Sequence, residues 1–271
     1  MEYVTVGGTE VPALGFGTAR MDEYDEQYRT VSAALETGYR HVDTAQIYGS
    51  EGAVGDAIEE SDHDREELFL TTKLADGNRE HEAVLESTAE SLDRLGTEYV
   101  DLLLIHSPND GIGHEETIGA MNELQAEGRV EHVGVSNFSV RQTAEAIELS
   151  ETPILTNQVK YNPYESQADL LAYCIDEGVM LTAYSPLAVG DVVGDEVLES
   201  IGERYGKSAA QVALRWLLQQ PMVSPIPMSS SPGHIRENFA LFDFELDDAE
   251  LREVFELQGG LPEELADRLG L

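Results

Sequence analysis

The sequence predicts an α/β fold of the (β/α)8 TIM barrel type, and we expect residues 1–271 to form a single domain. The length fits one such barrel, which commonly takes about 250 residues. Apolar β-like runs alternate with amphipathic helical stretches, a pattern typical of parallel strands joined by right-handed crossovers. Eight such runs can be counted, and neither a linker of domain-boundary length nor an internal repeat interrupts them.

The predicted elements follow the order of a barrel. Residues 2–12 are typical of a short N-terminal β-hairpin turned at Gly7 and Gly8, which would close the bottom of the barrel. The β-like runs lie near residues 39–43, 68–73, 100–106, 131–135, 154–159, 178–184, 223–227 and 239–244. The helical stretches lie near residues 26–37, 51–59, 80–95, 115–127, 140–149, 166–177, 195–203 and 208–219. An extra C-terminal helix is predicted at 247–257, beside the barrel.

The charge balance is strongly acidic, since 53 acidic and 16 basic residues give a formal net charge of −37. This lies far outside the magnitude of about 2–8 that is typical of a small domain. Molar salt, with a Debye length near ~3 Å, screens the repulsion within such a surface. We therefore interpret the chain as halophilic, the alternative being a moderately acidic mesophilic protein. The same charge disfavours nucleic acids and anionic membranes as partners.

The cysteine content and the absence of long apolar runs indicate the cellular compartment of the protein. Cys174 is the only cysteine, which excludes an intramolecular disulfide and a cysteine-rich metal framework. No basic segment followed by an apolar core begins the chain, and no run of about 18 apolar residues occurs. We expect a soluble, cytoplasmic monomer without a membrane partner.

Four residues with complementary chemistry lie at or just beyond predicted strand ends. Asp43 and Tyr48 lie in HVDTAQIYGSE, Lys73 in LFLTTKL and His106 in VDLLLIHSP. Each of these residue types alone is usually structural. Their shared placement is informative, because the carboxyl ends of the strands in a parallel barrel are where catalytic groups collect. The sequence therefore predicts that these four side chains meet at one end of the barrel.

Together the four side chains suit the reduction of a carbonyl group. A tyrosine phenol titrates near pH ~10 and is a poor general acid at neutrality. A lysine ammonium beside it favours the phenolate, so we expect Lys73 to lower the pKa of Tyr48. An aspartate can keep that ammonium charged and fixed, and an imidazole N–H can hold a carbonyl oxygen facing the phenol.

Several motifs resemble those of the aldo-keto reductases, in order and spacing from about Gly7 to Leu246. They are DTAQIYGSE, TTKL, LLLIHSP, GVSNF, NQVKY, AYSPL and IRENFALFDFEL. The resemblance is to prokaryotic members such as diketo-gluconate, glyoxal and general aldehyde reductases. It implies NAD(P)H-dependent reduction of an aldehyde or ketone to an alcohol. In that mechanism Tyr48 donates the proton, Lys73 tunes it, Asp43 holds Lys73 and His106 orients the carbonyl. No metal-binding motif such as HExxH occurs, so no metal is implied.

The resemblance also implies a cofactor site. Ser136, Asn137 and Gln158 would bind the nicotinamide carboxamide, which needs both hydrogen-bond donors and acceptors. Tyr184 would stack under the nicotinamide ring, although an aromatic of the barrel wall is the alternative interpretation. The remaining implied positions, around the pyrophosphate and the adenosine, are Gly17, Thr18, Ser185, Leu187, Ser229, Glu237 and Asn238.

Two positions depart from the family pattern and leave the cofactor preference open. Most relatives carry a lysine and an arginine that hold the 2′-phosphate of NADP, where this chain has Met228 and His234. Each lost charge-assisted hydrogen bond is worth about 1.5–3 kcal/mol. The protein has either shifted toward NAD(H) or holds the phosphate through 229–231 and Arg236. The family pattern slightly favours NADP(H).

The substrate is a small carbonyl compound whose class stays open between small aldehydes, keto-sugars and keto acids. Many relatives have a tryptophan directly after the catalytic histidine, and here Ser107 leaves that wall wider or more polar. Met21, Tyr24, Ser107 and Asn109 are the predicted lining residues. The loop 109–115 is short, which favours an open pocket.

Two other functions are alternatives to carbonyl reduction, and the four residues disfavour both. A barrel that binds the cofactor but acts as a regulatory subunit without significant turnover would not need the intact set of four residues. An unrelated barrel enzyme that uses Lys73 as a Schiff base would need a lysine without a carboxylate partner, and Asp43 argues against that.

Overall fold

A computed structural model describes residues 2–108 and 113–271. Its core is a sheet of eight parallel strands, as predicted for a (β/α)8 barrel. The strands are β3 (Gly15–Gly17), β4 (His41–Asp43), β5 (Phe69–Leu74), β6 (Val100–Ile105), β7 (Val130–Ser136), β8 (Ile154–Lys160), β9 (Met180–Tyr184) and β10 (Val223–Pro225). They pair in chain order from β3 to β10. The Gly17 N–H donates to the carbonyl of Pro227 at 3.1 Å, which brings the first and last strands together.

Helices cover the outside of the sheet. They are α1 (Tyr24–Thr37), α2 (Glu51–Glu59), α3 (His81–Leu95), α4 (His114–Ala126), α5 (Val140–Leu149), α6 (Ala168–Glu177), α7 (Glu196–Tyr205), α8 (Ala209–Leu218), α9 (Pro232–Phe239), α10 (Asp248–Glu256) and α11 (Glu263–Leu269). Several begin at a side chain that satisfies the free backbone N–H groups of the first turn. Ser208, for example, accepts from the Gln211 N–H, and the Gln211 side chain accepts from the Ser208 N–H.

The N-terminal hairpin closes one end of the barrel. Strands β1 (Tyr3–Val6) and β2 (Thr9–Pro12) pair antiparallel, and the turn places Gly7 and Gly8 at positive φ. Val6 and Val11 join a buried apolar cluster with side chains from inside the barrel, namely Phe69, Leu102, Leu104, Leu155 and Met180. Because this end is filled, the open end is the one at the carboxyl termini of the strands.

The fold class is confirmed, but one predicted strand is wrong. Residues 239–244 form no strand: α9 ends at Phe239, and the following segment packs its apolar side chains outside the sheet. Phe239 packs against Tyr39, with ring centroids 4.9 Å apart. The eighth strand is instead β3, which sequence analysis missed. Its Gly15 allows close approach, since a Cβ there would lie 2.7 Å from Ile226 Cγ2.

The helices agree more closely with the sequence. The extra C-terminal helix predicted at 247–257 is α10, whereas α9 and α11 were not predicted. Within the described part of the chain, no helix combines the length and apolar character needed to cross a membrane.

Candidate active site

The four predicted catalytic residues lie together at the open end of the barrel. Asp43 is the last residue of β4, Lys73 lies near the end of β5 and His106 directly follows β6. Tyr48 ends a short 3-10 turn, 46–48, that follows β4. Since β4, β5 and β6 are neighbours in the sheet, their carboxyl ends bring these side chains to one edge.

A buried ion pair anchors the site. The Lys73 ammonium donates to Asp43 Oδ1 and, at 2.9 Å, to the carbonyl oxygen of Thr44. Gln158 Nε2 donates to the other oxygen, Asp43 Oδ2, at 2.7 Å. The side chains of Lys73 and Asp43 are 0% and 3% exposed. Both carboxylate oxygens are therefore occupied, which offsets the cost of burying the two charges.

Tyr48 and His106 face this pair. The Lys73 ammonium lies 5.1 Å from the centre of the Tyr48 ring. The rings of Tyr48 and His106 meet edge to face, with centroids 5.6 Å apart. The turn that carries Tyr48 is held by Gln46, whose Oε1 accepts from the Ala75 N–H at 2.8 Å. Both rings are half-buried, so they can meet a ligand that enters from the open end.

Burial controls the protonation states. It raises the pKa of Tyr48, with smaller contributions from Asp43 and Tyr184, so the phenol is protonated at neutral pH. The net change in the Tyr48 pKa is thus upward, with burial as its largest cause. The lowering effect expected of Lys73 stays a prediction. Burial also lowers the pKa of Lys73, against the opposing effect of Asp43. For His106, burial and then the Lys73 charge lower the pKa to about 4, which leaves a neutral imidazole.

The residues expected at the nicotinamide carboxamide form a connected set beside these four. Ser136 Oγ donates to the carbonyl of Gln158 at 2.8 Å. Asn137 Nδ2 donates to Ser136 Oγ at 3.1 Å and to the carbonyl of His106 at 3.0 Å, and the Tyr184 hydroxyl donates to Asn137 Oδ1 at 3.0 Å. Asn137 adopts a left-handed backbone with φ of 63° and is exposed. The donors and acceptors that an amide requires are present at one place, so these residues fit that group.

The residues expected near the pyrophosphate fall into two groups. Thr18 is fully buried, and its hydroxyl is bonded to the Asp43 carbonyl at 3.0 Å, so it holds strand ends together. Gly17 lets β3 approach the last strand, since a Cβ there would lie 3.0 Å from the carbonyl of Ile226. Ser185 and Leu187 are half-buried in the segment that follows β9, where Ser185 has a φ of 48°.

The residues expected at the adenosine end surround the start of α9. Ser229 Oγ accepts from the Ser231 N–H at 3.1 Å, and Ser231 caps the helix. Asn238 is buried and Glu237 is half-buried. Of the two departures from the family pattern, Met228 is half-buried and His234 is exposed. Arg236 lines a groove between α1 and α9 on the outside of the barrel, together with Arg29 and Glu36.

The four predicted substrate-binding residues differ in burial and in position. Met21 is 2% exposed, and its sulfur accepts from the Thr30 hydroxyl at 3.0 Å. The Tyr24 hydroxyl donates a hydrogen bond to the Asp56 carboxylate on α2. Ser107 lies beside His106 at the open end, and Asn109 lies outside the described residues.

Sequence analysis missed two charged residues that the structure places next to Ser107. They are Asp76 and Arg79, in the segment between β5 and α3. Ser107 Oγ donates to Asp76 Oδ1 at 2.6 Å, and Arg79 Nη2 donates to the same oxygen at 2.8 Å. Their position soon after the TTKL motif was the available signal. No cluster of potential metal ligands occurs among residues 2–108 and 113–271.

Comparison with known proteins identifies the family. Residues 13–258 match the model of the aldo/keto reductase family. The chain is 39% identical over 247 residues to a glyoxal reductase of Bacillus subtilis, covering 91% of this chain and 89% of that protein. A crystal structure provisionally identified as a 2,5-diketo-D-gluconic acid reductase B superposes with a TM-score of 0.93 at 46% identity, covering 97% of each chain.

A second solved structure contains the cofactor. It is an aldo-keto reductase of Bombyx mori in complex with NADP, with a TM-score of 0.89 at 33% identity, covering 94% of this chain and 92% of that one. The chain therefore belongs to the aldo/keto reductase family, whose members are NAD(P)-dependent reductases of small carbonyl compounds.

Proposed function

We propose that this chain reduces an aldehyde or ketone to an alcohol, with Tyr48 as the proton donor. The observation that carries the proposal is the setting of the Tyr48 ring, 5.1 Å from the Lys73 ammonium and 5.6 Å from the His106 ring at the open end of the barrel. Because burial raises the pKa of Tyr48, the phenol still holds its proton when a substrate arrives. A protonated donor is what carbonyl reduction requires.

The other three residues act on the charge that develops. As the carbonyl oxygen takes up the phenolic proton, Tyr48 becomes a phenolate that the Lys73 ammonium stabilises. Asp43 keeps this ammonium fixed, and Gln158 in turn holds Asp43. His106 is neutral at physiological pH, so its remaining N–H donates a hydrogen bond to the carbonyl oxygen and holds it facing Tyr48.

NAD(P)H, when bound, supplies the hydride that reduces the carbonyl carbon. Ser136, Asn137 and Gln158 would hold the carboxamide, and Tyr184 would lie against the nicotinamide ring. We favour NADP(H) slightly over NAD(H), because the Bombyx mori relative was solved with NADP. Met228 and His234 weigh on the other side, since neither supplies the phosphate-binding cation that is common in relatives.

The substrate class is a small aldehyde, a keto-sugar or a keto acid. The names of the glyoxal reductase and of the diketo-gluconic acid reductase relative support a small polar carbonyl compound. The serine at position 107, in place of a large aromatic side chain, supports a polar wall beside His106.

The test is oxidation of NADPH and NADH at molar KCl with a panel of aldehydes, ketones and keto acids. Tyr48→Phe should lower kcat by about 10²–10⁴-fold, because it removes the proton donor and little else. Tyr173→Phe, on the outer helix α6, is the matched control and should retain the activity. Full turnover in Tyr48→Phe would refute the proposed role. Cofactor binding without turnover by the unmodified protein would instead favour a regulatory barrel.

A further inference from the structure

Two charged residues at the open end are not used by the four residues assigned to proton transfer. Asp76 follows the last residue of β5 by two positions, and Arg79 lies three residues beyond it. Both reach the segment that follows β6, where Ser107 is the immediate neighbour of His106. They therefore belong to the wall that a bound carbonyl compound meets beside His106.

Hydrogen bonds fix the orientation of the Asp76 carboxylate. Ser107 Oγ donates to Asp76 Oδ1 at 2.6 Å, and Arg79 Nη2 donates to the same atom at 2.8 Å. Arg79 is itself held, because Nη2 also donates to the Ser107 carbonyl at 2.9 Å. The Thr117 hydroxyl of α4 donates to the Arg79 carbonyl at 2.7 Å. The carboxylate is thus tied to Arg79 in its own loop and to Ser107 in the loop that follows β6, unlike a surface aspartate without partners.

Burial decides which of the two charges a ligand meets. The Arg79 side chain is 2% exposed, whereas the Asp76 side chain is 72% exposed. Asp76 Oδ2 accepts no hydrogen bond from any described residue, although Oδ1 is occupied. The bonds from Ser107 and then Arg79 lower the pKa of Asp76, so it stays ionised at neutral pH. The wall therefore presents Asp76 Oδ2 in a fixed orientation, whereas the Arg79 guanidinium that balances its charge is buried.

We propose that Asp76 determines substrate specificity, by accepting a hydrogen bond from a hydroxyl of the substrate and by repelling substrates that carry a carboxylate. This rests on the proposed carbonyl reduction and narrows its substrate class to hydroxylated neutral aldehydes and ketones, including keto-sugars, over keto acids. A fixed acceptor loses little conformational entropy when it binds a hydroxyl, which strengthens the preference. A free carboxylate at the same place would meet a like charge.

Ser107 has a supporting part in the same preference. Its hydroxyl holds Asp76 in place, so Ser107→Ala should weaken the selection for hydroxylated substrates without abolishing it. Asp76→Asn removes the charge with almost no change of shape, so it tests the proposal most directly. Asp76→Asn leaves the buried Arg79 guanidinium without its counter-charge, so circular dichroism and thermal unfolding are used to establish that the variant is folded before its kinetics are compared.

The experiment measures kcat/KM for glyceraldehyde, propanal and succinic semialdehyde with the preferred cofactor at one fixed KCl concentration. In Asp76→Asn, the ratio of glyceraldehyde to succinic semialdehyde should fall by about ten-fold, since a hydrogen bond to a charged group is lost and a repulsion is relieved. The value for propanal, which carries neither substituent, should stay unchanged. Asp62→Asn removes the same charge from an exposed position before β5 and is the matched control.

The outcomes separate this inference from the proposed function. If the unmodified protein turns over the three aldehydes but Asp76→Asn leaves their ratios as Asp62→Asn does, the specificity role is refuted and carbonyl reduction stands. If no carbonyl compound is reduced with either cofactor, the proposed function fails and the inference fails with it. A ratio that falls only in Asp76→Asn, with Tyr48→Phe inactive toward all three aldehydes, supports both.

Discussion

The two ends of the proposed cofactor site differ in how their side chains are held. At the nicotinamide end, Asn137 bonds to Ser136 and to the backbone of His106, and Gln158 bonds to Asp43. Ser136 and Gln158 are buried, and each of these bonds joins different strands or the loops that follow them, apart from the bond between neighbours Ser136 and Asn137. Moving any one of these side chains would disturb several others.

At the adenosine end the hydrogen bonds of the serine side chains are local. Ser229 Oγ accepts from the Ser231 N–H at 3.1 Å, and Ser231 Oγ accepts from the His234 N–H at 3.5 Å. Met228 and His234, the two positions expected to depart from the family pattern, are half-buried and exposed, respectively. The residues at the nicotinamide end are therefore held by bonds between distant parts of the chain, whereas the serines at the adenosine end bond to near neighbours. Substitutions should therefore cost far more at the first end than at the second.

The largest effect is expected from Lys73→Met. It removes the ammonium that is proposed to stabilise the Tyr48 phenolate, so kcat should fall by about 10²–10⁴-fold. It also leaves Asp43 buried with its charge unpaired, which should lower the free energy of unfolding by about 3–5 kcal/mol. Steady-state kinetics and urea unfolding measure the two effects.

Lys207→Met is the matched control for this substitution. Lys207 forms an ion pair with Asp243, whose side chain is 71% exposed, so its loss should cost less than about 1 kcal/mol. A Lys73→Met protein with unchanged kcat would mean that the buried pair is structural and does not serve proton transfer.

A second large effect should come from salt concentration. It should change the stability of the protein through its acidic surface and leave kcat, which depends on the buried site, nearly unchanged. With a net charge of −37, self-repulsion should be strong in dilute buffer and screened at molar KCl. We therefore expect the free energy of unfolding to rise by several kcal/mol with added KCl. The buried pair of Lys73 and Asp43 is shielded from ions, so kcat of the folded protein should change little. Stability that is independent of KCl concentration would refute the halophilic interpretation.

Features that depend on local sequence signals were predicted correctly, whereas features that depend on contacts between distant residues were missed. The placement of Asp43, Lys73 and His106 at adjacent strand ends followed from apolar runs that stop at a polar residue, a local signal. The strand predicted at 239–244 was wrong because an apolar run also arises where a segment packs against the outside of a barrel. Strand β3 was missed because Gly15 is required by close approach, which only the folded structure reveals.

The same distinction explains what was missed at the site. Asp76 and Arg79 are placed at the candidate site by hydrogen bonds to Ser107, about 30 residues away in sequence. Nothing in the local pattern shows that one charge is buried and the other exposed. The burial that raises the pKa of Tyr48 is likewise a property of the assembled barrel, so the sequence alone could not show it.

An intermediate effect is expected from the buried imidazole of His41. His41 lies two residues before Asp43 on β4, is fully buried, and has a pKa lowered to about 4 by burial. The unfolded chain binds a proton there near pH ~6.5. The contribution of His41 to the free energy of unfolding is therefore fully present above that pH. It is lost as the pH falls toward 4, and the loss amounts to about 3 kcal/mol.

His41→Gln should flatten that pH dependence, whatever it does to the absolute stability. Urea unfolding at about pH 7.5, above the pKa of the unfolded state, and at about pH 4.5, near the pKa of the folded state, gives the slope for both proteins at one KCl concentration. Comparing variant with parent cancels the contribution of the surface carboxylates. An identical slope in the two proteins would mean that His41 is already protonated in the folded state or titrates normally.

The smallest effect, about ten-fold, should come from restoring cations at the adenosine end. Met228→Lys and His234→Arg should each raise the ratio of kcat/KM for NADPH over NADH by about that factor, since each adds a charge-assisted hydrogen bond to the 2′-phosphate. Thr5→Lys, on the exposed hairpin at the opposite end of the barrel, adds the same charge as a control.

The combined variant, Met228→Lys with His234→Arg, decides between the two explanations of the cofactor preference. A large rise in the ratio from a parent that accepts NADH well would mean that loss of the two cations shifted the protein toward NAD(H). A parent that already prefers NADPH strongly, with little further gain in the variant, would mean that the serines at 229–231 bind the phosphate. Arg236 would then be the next residue to replace. Because it lies on the side of α9 that faces α1, Arg236→Ala should matter only if that side chain turns toward the phosphate.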